Sequence, residues 1–314
     1  MIKNIKLWSG IAIATMVISI IIIGFFPPVL GIDFTGGSLV EVTSEQIDLP
    51  AIRQESASIL GSPITAQLTQ DNSVLLRTDM LSPEKHAELI DGLKEKGLVT
   101  EELRFESIGP TIGAELRSKA WIAISLAIVG IIAYLAYEFR QTSGLVKPWK
   151  FGVAAVLAMV HDLLLVTALF GIFGRYFGAP IDILYITAVL AIMGYSVNDT
   201  IIIFNRTRNE WFTSRRDNLL DVMDRATKLT IIRSLNTSFT TLIALIALLF
   251  LGGTTIRWFI VALTIGIAVG TYSSIFVAPP LFYLLSRSKT TYIKKQKKGS
   301  KPLFSYTLTA KPLK

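Results

Sequence analysis

"ILYITAVLAIMGYSVNDTIIIF", residues 183–204, is an apolar run interrupted by Asn198 and Asp199. As a helix rising about 1.5 Å per residue it is long enough to cross a hydrocarbon layer of about 30 Å. Asp199 then sits within the membrane, where an ionised carboxylate costs at least about 2.5 kcal/mol. Such a group is tolerated only where it faces protein or water. Five further runs have spanning length, at roughly 7–26, 119–138, 151–173, 234–251 and 258–285. The composition agrees: the chain is 51% hydrophobic and 17% charged, against about 25% charged in a soluble domain. The first run is too long for a signal peptide, and no A-x-A-like site follows it, so it is read as a retained helix.

The net charge of +8 does not point to nucleic acid. Residues 33–116 hold 15 acidic and 6 basic side chains, whereas the excess Lys and Arg flank the apolar runs. Lys3, Lys6, Arg140, Lys147, Lys150, the cluster from Arg206 to Arg233 and the tail beyond 286 fall on one side of the membrane. The short loops opposite carry Arg175 and Arg257. The positive-inside rule places both termini in the cytoplasm.

The expected organisation is therefore a cytoplasmic N-terminus at 1–6, a first helix at 7–26 and an extracytoplasmic α+β domain with hinge segments at 27–118. A five-helix bundle at 119–285 and a basic cytoplasmic tail at 286–314, read as disordered, complete the chain. The segment 205–233 is too polar to span. It reads as a solvated linker with a structural helix or as an amphipathic segment along the inner surface, and the tail suits anionic lipid.

Within 27–118, "GSLVEVT" (37–43), "PITAQLT" (63–69), "SVLLRTD" (73–79) and "LRFESIG" (103–109) alternate like strands, with "QDN" (70–72) as a hairpin turn. Residues 48–61 and 82–97 carry helix signals: Pro50 and Pro83 near the starts, Ser82 as a cap, Gly61 and Gly97 past the ends. The order β-α-β-β-α-β is that of a ferredoxin-like unit. His86, on the second helix, is read as solvated.

There is no cysteine, and His86 and His161 are the two histidines. Disulfides, thiolate chemistry and a zinc site are not expected. No nucleophile elbow or phosphate loop is present, so the chain is not expected to be an enzyme or to need a cofactor. Work done by such a chain would draw on an ion gradient.

Two helical faces carry the chemistry. On 234–251, Arg233, Asn236, Thr237, Thr240 and Thr241 fall on one face by three- and four-residue steps. On 183–204, Tyr195 and Ser196 share the face of Asp199, with Asn198 beside it. Polar faces within a bilayer turn to protein or water, which suggests a hydrated crevice with an acid and a base on opposite walls. Asp199, Arg233, Asn198, Ser196, Asn236 and Thr237 form a candidate proton pathway. His161 and Asp162 lie in "MVHDLLL" (159–165), about two turns from the level of Asp199, and are secondary candidates or packing groups. Gly36, Gly37, Gly109, Pro110 and Gly113 stand at the junctions with the outer domain as candidate hinges. Ala262, Gly266, Gly270 and Ser274 recur at every fourth position, a spacing that admits a close helix neighbour.

"GIDFTGGSLVEV" (31–42), "SIGPTIGAEL" (107–116), "MVHDLLL", "GYSVNDTIIIFNRTRNE" (194–210), "RSLNTSFTT" (233–241) and "GTYSSIFVAPPL" (270–281) resemble the signatures of the SecF family. They cover the chain from 1 to about 285 in the family's order. "NRTRNE" departs from it, with Asn205 where relatives often have Asp. SecF is one half of the SecD/SecF protein-export accessory complex, within the resistance-nodulation-division class. The resemblance implies a six-helix half packed pseudosymmetrically on SecD, beside the SecYEG channel, with YajC as a further partner and an unfolded preprotein as client. It also implies use of the proton-motive force in late translocation and carries proton-pathway roles onto Asp199 and Arg233. Two other functions fit the residues: a proton-coupled small-molecule exporter of the same class, or a scaffold in which Asp199 and Arg233 are a packing pair.

Overall fold

The computed structural model describes residues 2–62, 64–69, 72–140, 146–213 and 218–286. The turn residues Gln70 and Asp71 and the basic tail beyond 286 lie outside that range. Six helices are long and apolar enough to cross a membrane: α1 (Ile5–Phe25), α5 (Pro110–Glu138), α6 (Trp149–Phe177), α7 (Ile183–Thr213), α8 (Leu219–Leu251) and Arg257–Ser286. The last comprises α9 (Arg257–Phe276) and a further turn-and-helix segment after Val277. Pro279 and Pro280 follow this break; proline supplies no N–H for the helical ladder.

Between α1 and α5 lie a one-turn helix α2 (Ile32–Thr35), strands β1 (Gly37–Thr43), β2 (Thr65–Leu68), β3 (Ser73–Thr78) and β4 (Glu101–Ile108), and helices α3 (Leu49–Leu60) and α4 (Pro83–Glu95). The sheet order is β2-β3-β1-β4 and every neighbouring pair is antiparallel. Alternation decides the two faces. Val40, Val42, Val74 and Leu76 point to α3 and α4 and form a core with Ile52, Leu89 and Leu93. Leu39, Glu41, Leu75, Arg77, Arg104 and Glu106 point the other way, as the period of two requires. The helix caps follow the sequence: the Asp48 carboxylate accepts from the Ala51 N–H, and the Ser82 hydroxyl from the Lys85 N–H. His86 is not simply solvated. Its Nε2 lies 2.9 Å from Glu102 Oε1 and its ring stacks on Phe105, because α4 lays that side chain across the edge strand β4.

The polar segment 205–233 is not a separate surface helix. α7 runs on to Thr213, and Leu219–Arg233 forms the first turns of α8 in one continuous helix with its apolar part. A helix needs satisfied backbone bonds, not lipid, to continue past a bilayer, so hydropathy marks the apolar span and misses the helix end. The extension is held at its base: Asp221 pairs with Lys3 and the Asp224 carboxylate accepts from the Ile2 N–H. α5 likewise begins at Pro110, nine residues before its apolar run.

Candidate functional site

α7 and α9 pack along the small-residue seam of α9. Ala262, Gly266, Gly270 and Ser274 are all buried. A Cβ on Gly270 would lie 3.1 Å from the Ser196 Cβ, and one on Gly266 would collide with the Ile192 side chain. This close approach brings Ser196 of α7 and Ser273 of α9 to one carboxylate on α6. Both hydroxyls donate to Asp162 Oδ2, at 2.8 and 2.6 Å. The other oxygen, Oδ1, is 3.0 Å from His161 Nδ1, and His161 Nε2 reaches the Thr15 hydroxyl of α1 at 2.8 Å. Thr15 also donates to the carbonyls of Ile11 and Ala12, so its oxygen is assigned as the acceptor of the imidazole Nε2–H. Four helices, α1, α6, α7 and α9, are stapled by one buried cluster.

Asp199 lies one turn beyond Ser196 but outside that cluster. It is 1% exposed, and neither carboxylate oxygen has a hydrogen-bond partner among the described residues. Arg233 is the cation whose field reaches it, yet no direct ion pair joins them. A buried carboxyl without a partner is costly. A buried acid in such surroundings is a candidate for a functional role.

The polar face of α8 points outward. Arg233, Asn236, Thr237 and Thr240 are exposed on the chain, as is Asn198 on α7. The Thr237, Thr240 and Thr241 hydroxyls bond back to carbonyls one turn earlier. The inward face of α8 instead presents Ser234 and Ser238, the latter 2.5 Å from Thr271 of α9. The pathway candidates therefore divide into a buried set, Asp199 and Ser196, and an exposed set, Asn198, Arg233, Asn236 and Thr237. Ser196 serves Asp162 rather than Asp199. Asp162 is thus linked to within one turn of the Asp199 level, closer than the two turns expected. Ser273 and Thr15 are missed by sequence reasoning; lone hydroxyls in apolar helices carry no pattern, although Ser273 adjoins the small-residue seam.

At the sheet-bearing end the junction is tight. Gly36 and Gly37 have φ of +72° and +115°, and a Cβ on Gly113 would sit 2.9 Å from the Gly36 nitrogen. Gly36 is equally close to Pro110, whereas Gly109 has open space around it. The outer face of the sheet, with Arg77 donating to the Gly178 carbonyl, roofs a cavity of about 310 Å³ floored by residues 177–184 and 255–259. Among the described residues no cluster of His, Asp and Glu with metal-ligand geometry occurs.

Two family signatures match the chain: "Protein export membrane protein SecD/SecF, C-terminal" over residues 89–288 and "SecD/SecF GG Motif" over 21–46. The protein translocase subunit SecF of Thermobaculum terrenum is 40% identical over 263 residues, 79% of this chain and 82% of that protein. The same subunit of Anaerolinea thermophila is 36% identical over 279 residues, 87% of this chain and 90% of that protein. The crystal structure of SecDF, a translocon-associated membrane protein from Thermus thermophilus, superposes with a TM-score of 0.81 at 30% identity. It matches 91% of this chain, which spans 38% of that longer polypeptide.

Proposed function

The chain belongs to the SecF family of protein translocase subunits, and from that premise we propose that, with SecD, it uses the proton-motive force to drive late preprotein translocation across the bacterial cytoplasmic membrane. One observation carries the mechanism: Asp199 is a buried, unpartnered carboxyl beside a helix whose cation, Arg233, is held apart from it. Approach of α8 pairs the two charges. Separation leaves the carboxyl to be neutralised by a proton. One elementary charge moved through 100 mV is worth about 2.3 kcal/mol, enough to bias two packings that differ by a few kcal/mol.

The exposed polar strip of Arg233, Asn236, Thr237 and Asn198 is the surface that SecD would cover, since lipid cannot satisfy it. Basic flanks support cytoplasmic termini and an extracytoplasmic sheet domain, whose strand order supports a ferredoxin-like unit. SecYEG, YajC and the emerging preprotein are the further partners of this assignment. Gly109 is the junction residue with room to turn. The test is translocation after ATP is exhausted, in vesicles bearing the SecD-assembled chain and a proton gradient. Asp199→Asn abolishes the gradient-dependent phase, and Arg233→Met uncouples proton flux from it. Wild-type late translocation in Asp199→Asn overturns the proposal.

A further inference from the structure

The first N–H groups of α7 have no helical acceptor. Asp182 satisfies one of them as the helix's own cap, its Oδ1 accepting from the Tyr185 N–H at 2.8 Å. A second is satisfied from 150 residues away: Asp33 Oδ2 accepts from the Ile183 N–H at 2.8 Å. Asp33 belongs to α2, the single turn between α1 and the sheet. The chain just before it runs alongside the α6–α7 loop as a parallel bridge, with Gly31 N–H donating to the Ile181 carbonyl and Ile181 N–H to the Val29 carbonyl. On its other side α2 packs on the first turn of α5, where Gly113 and Gly36 meet with no room for a side chain. One turn of helix, seven residues after α1, thus touches the start of the sheet, the start of α5 and the start of α7.

We propose that Asp33 is the positioning residue that couples the extracytoplasmic domain to Asp199, by completing the cap of the helix that carries it. Asp199 lies sixteen residues beyond Ile183, about 24 Å along a continuous helix. A displacement of the sheet domain enters through β1 and α2, is passed by Asp33 and the Leu30–Ile181 bridge to the end of α7, and arrives at the carboxyl as a shift of that stiff rod, with the helices stapled to it, relative to α8. The proposal rests on the proton-driven function above and adds that the neck, residues 29–35, and α7 travel as one body.

Two experiments on the SecD-assembled chain in vesicles test it. The first is amide hydrogen exchange over Ile183–Tyr185. Asp33→Ala raises exchange about fivefold, the equivalent of one lost helix cap, and lowers gradient-driven translocation by a similar factor. Asp33→Asn, whose side-chain oxygen still accepts, restores both. Unchanged exchange or unchanged translocation in Asp33→Ala overturns the proposal. The second exploits the absence of cysteine. Paired neighbouring strands lie about 4.8 Å apart, inside the Cα range of a disulfide, so Leu30→Cys with Ile181→Cys locks the neck to the α6–α7 loop. The oxidised lock translocates within about twofold of its reduced form if the two move together. Loss on oxidation with recovery on reduction shows that they must separate and overturns the coupling. Asp199→Asn assayed alongside keeps the two ideas distinct: wild-type activity there refutes the proton role, while exchange and the lock still score Asp33.

Discussion

Replacing Asp162 separates a structural staple from a proton relay. Asp162→Leu keeps the branched outline of the side chain but removes the polar partner of three contacts, with Ser196 at 2.8 Å, Ser273 at 2.6 Å and His161 at 3.0 Å. Hydrogen bonds between membrane helices average about 0.6 kcal/mol in double-mutant cycles, so three give about 2 kcal/mol. Leaving a buried polar group without its partner costs about 1–3 kcal/mol. The lower figure weighs more for the serines, because Ser273 already has a second acceptor in the Gly270 carbonyl. The higher weighs more for His161, which has nowhere to turn at 1% exposure. A loss of about 2–4 kcal/mol follows, read as the shift in reversible unfolding on titration with a denaturing detergent.

Asp162→Asn is the discriminating partner. Its oxygen accepts from both serines, and its amide donates to His161 Nδ1 while Nε2–H remains on Thr15, so every group stays satisfied. With a staple, this variant unfolds and translocates like the wild type. Loss of gradient-driven translocation in Asp162→Asn with unchanged stability would refute the staple and make Asp162 a titrating member of the path.

Two further outcomes follow from the junction. Gly37→Ala places a Cβ 2.6 Å from the Thr78 carbonyl oxygen at φ +115°, so the full chain loses about 1–3 kcal/mol and the β1–β3 end pair frays, visible as faster amide exchange at Thr78. At Asp182, burial and the neighbouring Asp33 carboxylate outweigh the Tyr185 N–H bond and hold its carboxyl above the usual carboxylate range. The folded chain keeps that proton to higher pH than the unfolded one. The junction is therefore most stable below the unfolded value near about 4, and the advantage is lost as pH rises through the raised folded value. Exchange over 181–185, corrected for its intrinsic pH dependence, slows on acidification, and Asp182→Asn flattens the response.

Apolar runs made the six spans legible because hydrocarbon imposes a length and excludes charge. Alternation did the same for the strands, down to the residues of β1. Helix ends were not legible for the same reason: Leu219–Arg233 is polar, yet it continues α8 because its backbone bonds and its contacts with Ile2 and Lys3 suffice. The acid and the cation of the candidate site were visible as polar residues in apolar helices. Their orientation was not, because helical periodicity gives relative angle and not which face meets the bundle. The staple was invisible for a different reason. Asp162 meets Ser196 at a separation of 34 residues and Ser273 at 111, and only the packing of α9 on α7 brings both hydroxyls to one oxygen.

That packing also decides which helix can change the distance between the two charges. Asp199 rides on α7, which the Asp162 cluster binds to α1, α6 and α9. Moving it alone breaks hydrogen bonds with buried groups at every contact. α8 is held differently. Its base is fixed by Asp221 to Lys3 and by Asp224 to the Ile2 N–H, in the segment before α1, while between Arg233 and Leu251, among the described residues, the short side-chain bond to its neighbours is Ser238 to Thr271. Tyr195 lies at 3.4 and 3.5 Å from Ser238 and Thr241, at the limit of hydrogen bonding. Most of the remaining contact is dispersion, which tolerates sliding better than directional bonds do. A tilt of α8 about its base therefore brings Arg233 toward Asp199 at the lowest cost in broken bonds. It also rotates the polar strip of Asn236, Thr237 and Thr240 against whatever covers it. Under the proposed function, with SecD covering that strip, the motion that pairs the charges is transmitted to SecD.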